Sequence, residues 1–219
     1  MKKFLVFILS LFCVFCLSGC QKEPSLLDNL SELRSNVYFG DNENYSIKAV
    51  YGFKEKNKAY DGKIGEPIYK LSFKLNGYQD QVDYTLSFDF NGKTYEGKFN
   101  FDPIRNCLSL DIEIEDFNLN EFTVNLKKES TVNTITLKSI VPENTLDYKT
   151  ALLKLIENQP DLINSYKSEN GYNLEIQMRI TVKKDKPYWF VGLTSTSGDH
   201  KVLLLDGYTG NALAVRDVF

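Results

Sequence analysis

Apolar and polar residues alternate with a period of two along much of the chain. The alternation recurs in short runs between residues 36 and 142, for example over 69–75 and 82–90, and turn-like segments separate the runs. Strands with one apolar and one polar face are typical of antiparallel sheets that pack on one side. Seven or so such strands predict an N-terminal antiparallel β-sandwich over residues 36–142, with an immunoglobulin-like topology as one option.

The sharpest local signal in this region is the pair Asn91-Gly92, which lies between two alternating runs. Both central residues of the tightest two-residue hairpins need a positive φ, and Asn and Gly adopt it most readily. The pair therefore predicts a β-hairpin.

A helical period appears after Pro142. Residues 146–158 carry apolar side chains at helical spacing, and Asn144 or Thr145 can cap a helix that begins there. Pro160 interrupts this run, and we expect a second short helix immediately after it.

Three or four alternating runs complete the chain, beginning with residues 174–182. A helical piece followed by a small antiparallel sheet predicts an α+β domain over residues 143–219. Together with the sandwich, this domain makes the expected fold mainly β.

The first twenty residues form a different pattern. Lys2 and Lys3 precede an apolar run over residues 4–17, which has the length of the hydrophobic region of a secretory signal. The run ends in Leu17-Ser18-Gly19-Cys20, which resembles the lipobox of bacterial lipoproteins. The resemblance implies that residues 1–19 are removed as a signal peptide and that Cys20 receives a diacylglyceryl group and palmitate.

These features predict a lipid-anchored protein on the extracytoplasmic side of a bacterial cell membrane. An ordinary cleaved signal peptide and an uncleaved signal anchor are the alternatives. Residues 20–35 would form a lipidated tether with a short helix over 25–33, because Ser25 can cap it and four leucines share one helical stripe. These leucines are Leu26, Leu27, Leu30 and Leu33.

The cysteines and the net charge narrow the possible functions. Cys13 and Cys16 would leave with the signal peptide and Cys20 would carry lipid, so Cys107 remains as a lone thiol in an apolar run. We expect Cys107 to be buried and inert. The formal net charge of −3 gives the chain no electrostatic reason to bind nucleic acid.

Two segments near the C-terminus resemble a PepSY or PepSY-like domain. They are the aromatic strand over residues 187–193 and the strand and turn over 201–213, in which Asp206, Thr209 and Gly210 form the characteristic part. The resemblance implies a non-catalytic module associated with protease inhibition or regulation at the cell envelope, without cofactor or catalytic residues. The turn itself has a mechanical explanation, since Asp206 can accept backbone N–H groups and Gly210 can adopt a positive φ.

The aromatic strand offers a candidate surface for a partner. Tyr188 and Phe190 point to one side of it and Trp189 to the other, while the preceding helix can cover only one side of a small sheet. We expect the sandwich domain to cover the second side, with a second copy, a partner or exposure to solvent as alternatives. Tyr188, Trp189 and Phe190 are therefore the candidate partner-contact residues.

Catalytic chemistry is not indicated. His200 is the single histidine, in a predicted hairpin loop that is a poor place for a nucleophile and its base. Asp111, Glu113 and Glu115 share one face of a strand, which is typical of a solvated surface; calcium binding and a glycosidase-type carboxylate pair remain alternatives. We expect no metal, no cofactor and no enzyme.

The combined prediction is a lipid-anchored envelope protein that binds or regulates a secreted or membrane protein such as a protease. A lipoprotein that binds carbohydrate or peptidoglycan is the first alternative, suggested by the 13 tyrosines. A carboxylate-dependent hydrolase is the second.

Overall fold

A computed structural model describes residues 25–56, 64–169 and 171–218. The predicted signal peptide and Cys20 lie outside the described residues. Most of the described chain is strand, which confirms the prediction of a mainly β protein. None of the helices in these ranges is long and apolar enough to span a membrane.

The strands of the N-terminal half are β1 Leu30–Asp41, β2 Ser46–Glu55, β3 Pro67–Asn76, β4 Tyr84–Phe90, β5 Lys93–Lys98, β6 Asn100–Asp102, β7 Cys107–Glu113, β8 Glu121–Lys128 and β9 Thr131–Ser139. Those of the C-terminal half are β10 Lys167–Ser168, β11 Gly171–Tyr172, β12 Leu174–Lys183, β13 Lys186–Ser195, β14 His200–Asp206 and β15 Ala212–Val218. The helices are a 3₁₀ turn at Leu26–Asn29, α1 Tyr148–Asn158 and α2 Pro160–Asn164.

The N-terminal strands form a curled antiparallel sheet. On one side of β1 lie β2, β3 and β7 in that order, and on the other side lie β9, β8, β4 and β5. The curl closes because β5 pairs with β4 while β6, two residues further along the chain, pairs with β7. Between them, the Phe99 N–H still donates to the Tyr84 carbonyl at 2.9 Å.

A single apolar core fills the curl. The inward-facing residues of the strands on both sides form this core. Its aromatic rings contact one another, namely those of Tyr38, Phe73, Phe88, Phe117 and Phe122. Two facing halves around one core are compatible with the predicted sandwich. Cys107, at the start of β7, is buried, as the sequence predicts.

The C-terminal strands continue the same sheet. Their order is β15, β14, β13, β12 and then β1, with which β12 pairs in parallel. A second core lies between this part of the sheet and the helices, and it includes Trp189, Leu152 and Leu155. The two parts of the fold therefore share β1 and have separate cores.

The predicted helix over residues 25–33 is wrong. The chain makes one 3₁₀ turn, capped by the Ser25 hydroxyl, and then becomes strand at Leu30. The leucine spacing that suggests a helix instead sends Leu26, Leu30 and Leu33 into the second core. Residues from Ser25 onward thus belong to the folded body and not to a tether.

The expectation that the sandwich covers the second side of the C-terminal sheet is also wrong. The shared strand β1 places the two parts of the sheet side by side, so the curled part extends the C-terminal part and does not lie against its face.

Predictions from short sequence signals agree better with the structure. Asn91 and Gly92 have φ values of 49° and 74° and connect β4 to β5, which confirms the predicted hairpin. The C-terminal helix forms as expected, but its N-cap is Asp147, whose side chain accepts the N–H groups of Lys149 and Thr150, and not Asn144 or Thr145.

Replacing Leu33 by Ala tests the assignment of the N-terminal residues to the second core. Leu33 is buried, so we expect Leu33→Ala to lower the free energy of unfolding by about 2–5 kcal/mol. Urea unfolding measures the change. Leu153→Ala is the matched control, because this exposed leucine should contribute within about 0.5 kcal/mol. Equal effects of the two substitutions would contradict the assignment.

Candidate contact face

An apolar strip crosses the side of the C-terminal sheet that faces away from the helices. It consists of Tyr188 and Phe190 on β13 and Val202 and Leu204 on β14, and we call these four residues the contact strip. The register pairs Phe190 with Leu204 and Gly192 with Val202, so the side chains share one face. All four are half-buried and belong to neither core.

His200 borders the contact strip at the start of β14. Its Nδ1 lies 2.8 Å from the Thr194 hydroxyl, and its ring packs over Gly192, where an added Cβ would lie 3.3 Å from Cε1. Gly192 therefore leaves room for the ring. In this position the histidine is part of the sheet surface, and its hydrogen-bond partner is a neighbouring threonine.

A charged cluster adjoins the contact strip where β1 meets β12. Glu32 accepts a hydrogen bond from Arg34 Nε at 2.8 Å and one from Arg179 Nη2 at 3.2 Å. Arg179 also donates to Gln177 at 3.3 Å and lies opposite Phe190 in the register. The cluster thus touches the apolar strip directly.

The three charges of this cluster differ in exposure. The Glu32 side chain is 8% exposed, whereas those of Arg34 and Arg179 are 42% and 36% exposed. Burial raises the pKa of Glu32, but the nearby Arg179 and Arg34 outweigh it and hold that pKa below its ordinary value. The two arginines thus place exposed hydrogen-bond donors beside the contact strip.

The predicted contact residues divide between the two sides of β13. Tyr188 and Phe190 lie on the contact strip, but Trp189 is 2% exposed and packs in the second core. Its indole N–H donates to the Leu146 carbonyl at 2.9 Å. Assigning Trp189 to the contact face was wrong, because successive residues of a strand point to opposite sides.

The turn after β14 has the geometry that the sequence predicts. Asp206 Oδ1 accepts the N–H groups of Tyr208 and Thr209, each at 2.9 Å, and Gly210 has a φ of 74°. Burial raises the pKa of Asp206, but these N–H groups and the Thr209 hydroxyl outweigh it and lower that pKa. The turn is structural, and it positions β15 beside β14.

The acidic row on β7 is largely solvent-exposed. Asp111 forms an ion pair with Lys70. Burial raises the pKa of Asp111, but hydrogen bonds from Lys70 and Ser72 outweigh burial and lower that pKa below its ordinary value. Glu113 and Glu115 line an open pocket of about 470 Å³ with Tyr69 and Tyr95. In the described ranges, no three histidine, cysteine or acidic residues are arranged to hold a metal ion.

The tyrosines at this pocket already contact protein groups. The Tyr95 ring stacks on Phe88 with centroids 5.4 Å apart, and the Lys93 ammonium lies 4.6 Å from its centroid. Tyr69 packs on Phe53 at 5.2 Å. These rings are therefore already engaged in contacts within the fold.

The sequence did not reveal the charged cluster. Glu32 and Arg179 are 147 residues apart, and they meet only because β1 and β12 are parallel neighbours. The one available signal was Arg179 on the polar side of an alternating strand, which points to solvent without naming a partner.

Glu32→Gln tests the electrostatics of the cluster. The folded-state pKa of Glu32 is lowered, so the ionised side chain stabilises the fold above the unfolded pKa of about 4.3. This stability is lost as the pH falls through the lower folded value. We expect Glu32→Gln to cost about 1–3 kcal/mol at pH 7 in urea unfolding.

The same comparison below pH 4 should show a smaller difference between Glu32→Gln and the unsubstituted protein, because Glu32 of the unfolded chain is then protonated and the advantage of the ionised folded state declines as the pH approaches the lower folded pKa. A difference that is constant from pH 7 to pH 3 would contradict the ionised, arginine-paired state.

Comparison with known proteins adds no family assignment. No protein-family model matches the chain, and no curated protein matches it. The likeness of residues 187–193 and 201–213 to a PepSY-like domain therefore rests on those residues alone.

Proposed function

We propose that this protein is a lipid-anchored bacterial envelope protein that acts without catalysis, by binding another protein through the contact strip and the adjoining charged cluster. The observation that carries the proposal is the position of the strip. Tyr188, Phe190, Val202 and Leu204 lie half-exposed on the sheet face opposite the one that packs against the helices.

The composition of this surface suits protein recognition. Aromatic residues and arginine are enriched in protein interfaces, and the residues that dominate binding energy lie in apolar patches bordered by polar groups. Arg34 and Arg179 are exposed enough to donate to a partner. The matching partner surface is apolar with a carboxylate at its edge.

The membrane attachment is proposed from the N-terminal sequence. The lipobox-like segment 17–20 would place a thioether-linked diacylglyceryl group and an N-acyl chain on Cys20. More than one acyl chain gives lasting attachment, whereas a single chain gives marginal binding. The protein would then act at the extracytoplasmic surface of the cell membrane.

The finer fold assignments belong to the same proposal. We propose that the curled part is a sandwich with an immunoglobulin-like character and that residues 143–219 form a PepSY-like unit. The helix before an antiparallel sheet and the Asp206 turn support the second assignment. A PepSY-like unit favours an envelope protease or another secreted protein as the partner.

Replacing Cys20 by Ala tests the anchor. Cells that express the unsubstituted protein should incorporate labelled palmitate into it and retain it in the membrane fraction. Cys20→Ala should abolish the label, because no acyl chain can be attached. Cys107→Ala is the control and should keep both properties. Palmitate labelling that persists in Cys20→Ala would refute the anchor.

Photo-crosslinking tests the contact strip. A benzophenone amino acid at position 190 should give a discrete crosslinked product in intact envelopes, and the same group at the exposed position 132 should not. Leu204→Ala should weaken the position-190 product, since truncating a central interface residue costs about 2 kcal/mol or more, which is about 30-fold in affinity. Identical products from both positions would contradict a specific surface.

A further inference from the structure

We propose that the protein stands on the bilayer with the end of its C-terminal sheet against the phospholipid headgroups, and with the β1–β2 loop and the β6–β7 turn pointing away from the membrane. The inference rests on the proposed lipid attachment at Cys20.

The first step is the short reach of the anchor. Residues 20–24 connect the lipidated cysteine to the described fold. Fully extended, they span no more than about 17 Å, since each residue adds about 3.3–3.6 Å. Any conformation of this segment keeps Ser25 within that distance of Cys20.

The second step is the place where the chain enters the fold. Asn29 Nδ2 donates to the carbonyls of Tyr172 and Leu174 at 3.1 and 2.8 Å, and Leu30 pairs with Ile176. The chain therefore enters beside the start of β12, in the C-terminal part of the sheet.

The third step identifies the loops at the same end. Leu174 pairs with Ser195 and Thr194 with His200, so the β13–β14 hairpin over residues 196–199 lies there. The Asn173 N–H donates to the Tyr166 carbonyl, which brings the hairpin of β10 and β11 to this end as well.

The chemistry of this end suits a headgroup layer. Its loops border a cleft of about 750 Å³ lined by hydroxyl and amide side chains together with Lys167, Asp199 and the ion pair of Lys201 with Asp217. The large apolar side chains that are most exposed in the described residues lie elsewhere. A surface of this composition rests among polar headgroups and does not enter the hydrocarbon.

The opposite end of the molecule is far from the anchor. β1 runs for 12 residues from Leu30 to Asp41, which corresponds to about 40 Å. The β1–β2 loop lies at its far end, and the register through Ile47, Leu75 and Leu108 places the β6–β7 turn there too. These two turns therefore lie at the end of the molecule farthest from the anchor.

The contact strip lies close to the bilayer in this orientation. Phe190 is opposite Arg179, which follows Leu174 by five residues, or about 17 Å along β12. With the reach of residues 20–24, the 3₁₀ turn at Leu26–Asn29 and the step from β12 to β13 added, Phe190 lies within about 50 Å of Cys20 along this path. The partner class is therefore a protein that is itself embedded in or attached to the membrane.

Lipid quenching of single fluorophores tests the orientation. The probe is attached to Thr196→Cys or Glu43→Cys in the full-length lipidated protein, with Cys107→Ala leaving one free thiol. Position 196 lies in the β13–β14 hairpin and position 43 in the β1–β2 loop, and both residues are exposed. The vesicles contain phosphatidylethanolamine, phosphatidylglycerol and a lipid with a nitroxide on its headgroup.

We expect the fluorophore at position 196 to lose most of its emission and the one at position 43 to keep it. Inserting twenty Gly and Ser residues between Pro24 and Ser25 should remove the difference without weakening attachment, because such a linker spans about 25 Å on average. Cys20→Ala measures the attachment itself.

The outcomes separate the two proposals. Equal quenching at both positions, or stronger quenching at position 43, would overturn the orientation while Cys20-dependent attachment stands. Attachment that does not depend on Cys20 would overturn the proposed anchor and the orientation with it. Quenching at position 196 that survives the long linker would show that the loops bind lipid independently and would overturn the argument from reach.

Discussion

The fold depends on the pairing of one strand, β1, with neighbours from both halves of the chain. Its first residues pair in parallel with β12, most of its length pairs with β2, and its last residues pair with β9. A parallel pair requires a long connection between its strands, and here that connection is the whole curled part of the sheet. The strand β1 can therefore complete its pairing only after the chain has reached β12.

This dependence has consequences for folding and for the surface. Contacts between residues about 145 positions apart close late, because the loop-closure entropy must be offset by other contacts first. The same pairing assembles Glu32 with Arg179 and places the charged cluster beside Phe190. The surface that we propose for binding is thus complete only when the first and last parts of the chain have met.

The sequence predicted what short-range patterns determine. The Asn91-Gly92 hairpin, the C-terminal helix and the strand that carries Tyr188 and Phe190 follow from turn chemistry and periodicity. The turn at Lys184 and Asp185 was missed, because both residues have positive φ without the Asn or Gly that usually signals it.

The wrong predictions concern segments whose structure depends on residues far away in the sequence. The spacing of Leu26, Leu30 and Leu33 is helical, yet the parallel partner β12 holds the chain as strand. The charged cluster could not be predicted for the same reason, since no local pattern gives the register of β1 against β12. Whether the second side of the C-terminal sheet is covered depends on how the two parts of the fold join. The alternation of apolar and polar residues along the strands does not specify that.

The bend between β5 and β6 limits edge-to-edge pairing of the sheet with other copies of the protein. A sheet that stopped at β5 and β7 would present two long rows of unpaired backbone groups, which are templates for pairing with another chain. Gly97 lets β5 approach β7, because an added Cβ would lie 2.6 Å from the Leu110 side chain. By bending the chain from β4 onto β7, this segment shortens the open edges through which neighbouring molecules could join into continuous sheets.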